Sequence, residues 1–396
     1  FMIINTNAQE DVVAQGLAES TNFSIKASAA AFQLLSSGLY TNKIKAVLRE
    51  IGCNGVDAHV LNGNQEKPID VKLPNKLDNQ FYIRDYGPGL SHEQIMKLYA
   101  TYFDSTKQAD NNLIGGFGVG SKSPFAYTDS FTIVAIHEGV SRTYIAYTDD
   151  EGLPVISLAG ESPSDEPSGL QIGFPVKPSD IREFEQEAIA VYSGFKVTPR
   201  ILGSSLDIES RKPVPLVGPV SVNADRYTAL SVNMGGVIYP VGRLSDEQLN
   251  PMNLSGLATL LLREPLVIDV PIGSLSVAAS REALQFNKVT LNGLKNVLED
   301  AATAIRSKYL ELFQEIDPSI PTVGKATALQ EKLKSDHLHR WLTNLPDTDP
   351  LLQNKELKEA VHIIKHGTYN AEITDHTKMH AFELSSNFSY WMRDRS

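Results

Sequence analysis

Glu50, Asn54 and Asp57 stand at i, i+4 and i+7 within Arg49-Glu50-Ile51-Gly52-Cys53-Asn54-Gly55-Val56-Asp57-Ala58. On a helix this spacing sets two carboxylates and an amide on one face, away from the apolar stripe of Ile44, Leu48 and Ile51. An amide oxygen such as that of Asn54 is a hard ligand, suited to a Mg²⁺ ion that keeps several waters and also binds nucleotide phosphates. A carboxylate one turn earlier, Glu50, can orient or deprotonate an attacking water. The competing reading of such a face is a solvated helix surface.

Two further segments supply what a nucleotide would need. Phe81-Tyr82-Ile83-Arg84 reads as a short strand entering the turn Asp85-Tyr86-Gly87-Pro88-Gly89. Gly87 and Gly89 there permit positive φ and close approach to a ligand, and Asp85 can accept a hydrogen bond from an exocyclic amine such as that of adenine. Gly115-Gly116-Phe117-Gly118-Val119-Gly120 then precedes Ser121-Lys122-Ser123-Pro124-Phe125-Ala126, which reads as a loop entering a helix. Backbone N–H groups at a helix start form an anion site, and Lys122 adds positive charge. A glycine-rich loop alone is equally a plain turn. The phosphate-binding P-loop and the dinucleotide fingerprint are both disfavoured, since neither Gly-Lys-Ser/Thr nor G-x-G-x-x-G stands at the required place.

In this order and spacing, Glu-x3-Asn-x2-Asp-Ala, Asp-x-Gly-x-Gly and Ile114 to Gly120 resemble the N-box and glycine boxes of the GHKL (Bergerat-fold) ATPases. That superfamily includes gyrase B, the Hsp90 chaperones, MutL and the histidine kinases. The resemblance implies ATP and Mg²⁺ as cofactors. It implies Glu50 as the water-activating residue, Asn54 as the Mg²⁺ ligand, and Asp57 and Asp85 in the nucleotide pocket, with Asp85 reading adenine. Gly87, Gly89, Gly116, Gly118 and Gly120, with Phe117 and Val119 between them, would let the backbone close on the nucleotide. Residues about 99 to 121 would form an ATP lid whose polar turn contains Lys107, and Lys122 would complete the phosphate loop. Ser168-Gly169-Leu170-Gln171-Ile172 sits where a Gly-Thr box is expected but has Leu170 in place of threonine, so no role is carried over there.

The second part of the chain resembles the transducer domain that follows the ATPase in gyrase B, MutL and Hsp90. It reads as a strand from Ala229 to Met234, a turn at Gly235-Gly236, a strand from Val237 to Val241, a helix from Asp246 to Leu262 and a strand from Leu266 to Pro271. Arg281, in Leu275-Ser276-Val277-Ala278-Ala279-Ser280-Arg281-Glu282-Ala283-Leu284, falls where MutL places a lysine that reaches the γ-phosphate. A guanidinium suits phosphate oxygens; the bland alternative is a surface ion pair.

Over much of the first three hundred positions the chain resembles the phage rIIA-type proteins, through Ser28 to His59, GGFGVGSKSPFAY and IGSLSVAASREAL. That resemblance implies a viral protein that overcomes host exclusion and affects lysis timing. It would act with an rIIB-like partner in the host cytoplasm, with any membrane association peripheral. It also implies a longer full-length protein, from which a carboxy-terminal part is missing here.

The implied fold class is α+β. Residues 1–200 would form a Bergerat-type α/β sandwich with a mixed sheet covered by helices on one face; 201–288 would form a βαβ-type transducer-like unit, and 289–396 a mostly helical region. The 396 residues, 43.4 kDa and 42% hydrophobic content suit two or three ordinary cores. One cysteine, Cys53, excludes an internal disulfide framework and fits a reducing compartment. No apolar run reaches the ~18 residues that span a bilayer, and Phe1 before Met2 reads as a cloning remnant. The net charge of −11 argues against a broad nucleic-acid surface and weakens a repair or topoisomerase reading.

Local signals refine the outline. Glu161 to Gly169 reads as a hairpin or loop, Ile181 to Ser193 as a helix capped by Ser179, and Arg211 to Val220 as a connector. Thr290 reads as the cap of a long helix ended by Asp317-Pro318. Shorter helices follow at about 326–342 and 354–365. His362 with His366, and His376 with His380, have metal-ligand spacing but no third ligand, so packing is the expected role and zinc is not. Two function classes stay open: an ATP-driven switch that pairs two copies in its ATP state, and a nucleotide-sensing adaptor with negligible hydrolysis that binds a host defence factor or the rIIB-like partner.

Overall fold

The computed structural model describes residues 28–34, 38–100, 120–224, 229–333 and 335–366. Lys107, Gly116, Phe117, Gly118, Val119, His376 and His380, and most of the expected lid, lie outside the described residues.

Chain order gives the first sheet strands β1 (Asp70–Lys72), β2 (Gln80–Arg84), β3 (Ser130–His137), β4 (Val140–Thr148), β5 (Pro154–Pro163), β6 (Gly169–Pro175) and β7 (Arg200–Leu202). Their spatial order is β5-β4-β3-β6-β2-β1-β7, antiparallel throughout except for β1 with β7. Register sets Ile133 and Ile83 beside Ile172, and Phe81 beside Phe174, so one face is apolar and buried. Thr132, Val134 and Tyr82 alternate onto the other, more open face, as the period of two requires.

Four helices accompany this sheet: α1 (Ala29–Gln33), α2 (Lys43–Leu61), α3 (His92–Ala100) and α4 (Ile181–Tyr192). On the buried face, Phe184 of α4 packs against Phe81 and Phe174, with ring centroids 5.1 and 6.3 Å apart. The Tyr192 hydroxyl at the end of α4 donates to the Leu48 carbonyl of α2 at 3.1 Å. Asn42 starts α2, its side-chain oxygen accepting the Lys45 N–H at 2.9 Å. Gly63, with φ +69°, follows its end in the left-handed conformation usual after a helix. Both sides of α2 are buried: Ile44, Val47, Leu48 and Ile51 on one, Arg49, Glu50 and Asp57 on the other. The solvated-face reading of this helix therefore fails.

The second sheet has β8 (Val214–Val217), β9 (Val220–Val222), β10 (Ser231–Met234), β11 (Val237–Pro240) and β12 (Leu266–Val270), in the order β11-β10-β12-β9-β8. β10 and β12 run parallel, and the connection between them carries α5 (Asp246–Leu249) and α6 (Gly256–Leu261). The single helix expected over 246–262 is thus broken. Pro251 removes a donor, Asn253 turns left-handed at φ 45°, and Ser255 caps a new start. The expected connector 211–220 instead supplies β8 and enters β9, which pair as an edge hairpin.

Other boundaries shift for local reasons. β5 runs on to Pro163, into the stretch expected to be loop. Asp180, after a 3-10 turn at Pro178–Asp180, precedes α4, and Ser179 donates to the Asp180 carboxylate rather than capping the helix. A long helix α7 (Lys288–Gln314) is capped by Asn287, which accepts the Thr290 N–H at 2.9 Å; Thr290 is buried and accepts the Ser276 N–H. α8 (Thr322–Lys332) and α9 (Asp336–Thr343) replace one expected helix, and α10 (Lys355–His366) follows. Among the described residues no helix is long and apolar enough to cross a membrane.

Arg306 ties this helical region together. Its guanidinium donates to both Asp349 oxygens at 3.0 and 2.9 Å and to the Ser255 hydroxyl at 3.0 Å, while the Asp349 side chain is fully buried. Arg306→Met is expected to strand that carboxylate and to cost about 3–5 kcal/mol in urea unfolding. A loss below about 1 kcal/mol, the range of exposed pairs, would show that the pair contributes no more than a surface bridge.

Candidate active site

Three elements meet at Glu50. α2 supplies Glu50 and Asn54; the 3-10 turn Gly120–Ala126 lies against them; and a hairpin after β12, closed by the Val277–Leu284 bridge, brings Arg281 from 231 positions away. Arg281 donates to Glu50 Oε2 at 2.8 Å, with both side chains nearly inaccessible to solvent. Arg49 donates through Nε to Glu50 Oε1 at 3.1 Å and through Nη2 to the Ser280 carbonyl at 2.6 Å. Successive helical residues do not normally face each other; the pull of Ser280 turns Arg49 back onto its neighbour.

Gly120 is glycine for a steric reason. A Cβ there would stand 2.9 Å from Glu50 Oε2 and 3.4 Å from Asn54 Nδ2. Gly120, Glu50 and Asn54 therefore border one small space. Arg281 Nε and the Ser121 and Ser123 hydroxyls are buried without a hydrogen-bond partner among the described residues. Buried polar atoms rarely stay unpaired; Arg281 Nε, beside Glu50, is a donor chemically suited to a phosphate oxygen, and the Asn54 amide to a hydrated Mg²⁺.

Lys122 is buried, and its ammonium donates to the Leu98 carbonyl near the end of α3 at 2.6 Å. The segment it belongs to, expected as a helix entered from a loop, is a seven-residue 3-10 helix. Asp57, also buried, lies with His59 on the wall of a cavity of about 230 Å³ bordered by Phe195 and the Gly235-Gly236 turn. Among the described residues no group of three or more His, Cys, Asp or Glu could hold a metal; His362 and His366 stack on α10 with ring centroids 4.6 Å apart.

The Asp85 turn packs on the same helix: a Cβ on Gly55 would stand 3.4 Å from that of Asp85. Asp85 Oδ1 accepts the N–H groups of Gly87 at 2.9 Å and Leu170 at 3.2 Å, and the Asp85 N–H donates to the Leu170 carbonyl. These contacts leave Oδ2 for a ligand amine, so far as the described residues go. Gly89 has the positive φ expected, +70°, whereas Gly87 does not; it is required because a Cβ there would lie 2.6 Å from that of Ala58. His59 Nε2 accepts the Tyr86 N–H at 2.7 Å, so Nδ1 carries the proton donated to the Lys67 carbonyl at 2.9 Å.

Arg49, His59 and Leu170 went unnoticed as site residues in the sequence. Leu170 acts through its backbone, so its side chain carries no signal of the role; Arg49 depends on a carbonyl 231 positions away.

No protein-family profile matches the chain. The chain is 28% identical over 151 residues to the chaperone protein HtpG of Rickettsia canadensis, covering 32% of this chain and 24% of that protein. It is 31% identical over 143 residues to HtpG of Sulfurovum sp., covering 30% and 23%. With HtpG of Mycolicibacterium vanbaalenii it shares 25% over 216 residues, covering 46% and 32%. The matches thus span about a quarter to a third of these relatives' length. They are weak, partial similarities to the HtpG/Hsp90 chaperones, a GHKL ATPase family.

Burial raises the Asp85 carboxyl above its ordinary 3.8, more than the Gly87 and Leu170 donors pull it down. A carboxyl that holds its proton more tightly folded than unfolded loses stability as pH rises between its two values, so at neutral pH this charge weakens the fold. Asp85→Asn is expected to hold or raise the thermal midpoint at neutral pH while weakening ATP binding about tenfold or more, the scale of one charge-assisted hydrogen bond. A fall in both would mean that the turn itself has collapsed.

Proposed function

We propose that this chain is a Mg²⁺-dependent, ATP-binding and slowly ATP-hydrolysing conformational switch of the GHKL type. The observation that carries the reading is the buried contact between Glu50 and Arg281, which brings a cation from the hairpin after the second sheet onto the carboxylate that the reading takes as the water-activating group. Asn54 would hold Mg²⁺, which when bound neutralises phosphate charge. Asp85 would accept the adenine amine, and Gly120 would leave room for the phosphates. Arg281 would pass from Glu50 to the terminal phosphate, which is a stronger bidentate partner for a guanidinium. That exchange would free Glu50 to take a proton from water and would couple the second sheet to nucleotide state.

The second reading, a nucleotide-sensing adaptor with negligible hydrolysis, draws on the same cluster. Both Glu50 oxygens are held by guanidinium groups, so the carboxylate must give up a contact before it can engage a water. The finer identity rests on the rIIA-type resemblance alone. It is that of a phage protein pairing with a second copy in its ATP state and acting with an rIIB-like partner against host defence. Its place would be the host cytoplasm, peripheral at most to the inner membrane.

Steady-state hydrolysis and ATP binding with Mg²⁺, with oligomeric state followed in the same samples, separate the two readings. Glu50→Ala should keep ATP affinity within about twofold and lose about a hundredfold or more of turnover, the range of general-base catalysis. Arg281→Ala should lower hydrolysis without changing ADP affinity. Binding without turnover in the unmodified chain would establish the adaptor instead, and unchanged turnover in Arg281→Ala would return that residue to a structural ion pair.

A further inference from the structure

The hairpin that carries Arg281 touches α2 through three successive residues. Ser280 accepts from Arg49, Arg281 donates to Glu50, and the Glu282 carboxylate accepts the Thr41 N–H at 3.1 and 3.0 Å and the Asn42 N–H at 3.0 Å. Thr41 and Asn42 immediately precede α2, and Asn42 is its cap. A carboxylate at that end meets unpaired backbone donors and the positive end of the helix dipole. Asn42 also donates through its side chain to Glu187 of α4 at 2.8 Å, so the point that Glu282 grips is itself fixed to the first sheet's helices.

Arg281 needs such a grip. Its backbone is left-handed, φ +57°, a conformation that costs a non-glycine residue of order 1 kcal/mol or more and persists only where the surroundings impose it. Within the hairpin, the Arg281 N–H donates to the Ala278 carbonyl at 2.8 Å and the Ala278 N–H to the Ala283 carbonyl at 2.9 Å. Those bonds shape the tip but do not say where it sits on α2. Glu50 lies two helical turns beyond the cap, and a hairpin free to slide along the helix would take Arg281 off it.

We infer that Glu282 is a positioning residue whose carboxylate locks the hairpin tip onto the start of α2 and so sets Arg281 against Glu50, a role that rests on the ATPase reading above. Burial opposes the Glu282 charge, but the Thr41 and Asn42 donors outweigh it and hold the carboxyl below its ordinary range. The lock therefore stays ionised through neutral pH.

The test uses the full chain with Glu282→Ala, Glu282→Gln, Arg281→Ala and the Glu282→Ala/Arg281→Ala double variant. It measures Mg·ATP turnover, ADP affinity, thermal midpoint, and amide exchange at Thr41, Asn42 and Arg281. Glu282→Ala should lower turnover about fivefold to tenfold, the scale of a lost charged hydrogen bond, with ADP affinity within about twofold. Glu282→Gln, which keeps one acceptor oxygen, should recover part of it, and Glu282→Ala should add nothing once Arg281 is already alanine. Independent, multiplying losses in the double variant would overturn the inference, because Glu282 would then act other than through Arg281. If the unmodified chain shows no turnover, the ATPase reading fails by itself, and exchange decides the lock. Faster exchange at Thr41, Asn42 and Arg281 in Glu282→Ala, reduced in Glu282→Gln, supports it; unchanged exchange sinks it. Should Glu282→Ala fail to fold, Glu282→Gln carries the same comparison.

Discussion

A buried carboxylate between two guanidinium groups is the constraint around which the rest of this molecule is arranged. Glu50, Arg49 and Arg281 are each almost wholly withdrawn from water, and taking three charges out of solvent costs several kcal/mol per ion before any pairing returns it. Such a cluster is a poor way to gain stability and a good way to specify geometry, since each charge tolerates only the arrangement in which its partners are present. Here the partners come from segments some 230 positions apart, so the cluster sets how the second sheet's hairpin meets the first sheet's helix.

α2 is the element that makes this possible. Its apolar side packs into the core under the first sheet and α4, and its polar side is covered by the 120–126 turn and the Arg281 hairpin. A helix buried on both sides cannot shift without disturbing two packing surfaces, which suits a residue set that must hold a ligand to within a fraction of an ångström. The Asp85 turn reaches the same helix from below through His59 and Ala58. Glu50 and Asp85 are thus indexed to one rigid rod.

The same cluster joins ligand chemistry to conformation. In the proposed exchange a guanidinium would have two discrete partners, carboxylate and phosphate, and a hairpin held at Glu282 would follow it only by a limited rearrangement. Coupling between sites needs a two-state element that both sites bias, and the Arg281 hairpin has the contacts of one. The helical region beyond it is held by its own buried pair, Arg306 with Asp349, and by the Tyr309 hydroxyl on the Leu338 carbonyl at 2.7 Å.

By itself the sequence determined the chemistry on offer and much of the secondary structure. The spacing of Glu50, Asn54 and Asp57 needs only the helical period, the Asp85 turn only its glycines, and β2, β10, β11, β12 and α7 only alternation or a 3.6-residue repeat. Helix starts were less legible, because Asn287 and Thr290, or Ser179 and Asp180, are both competent caps and the neighbours decide between them. The break at Asn253, by contrast, has local signals in Pro251 and the Ser255 cap. Tertiary structure alone decided that the acidic face of α2 is buried, that Leu170 serves Asp85 through its backbone, and that Arg49, Arg281 and Glu282 converge on one helix. Contacts between residues some 230 to 240 positions apart leave no local pattern: each partner obeys only its own segment's rules, and the pairing exists only after the two sheets have packed.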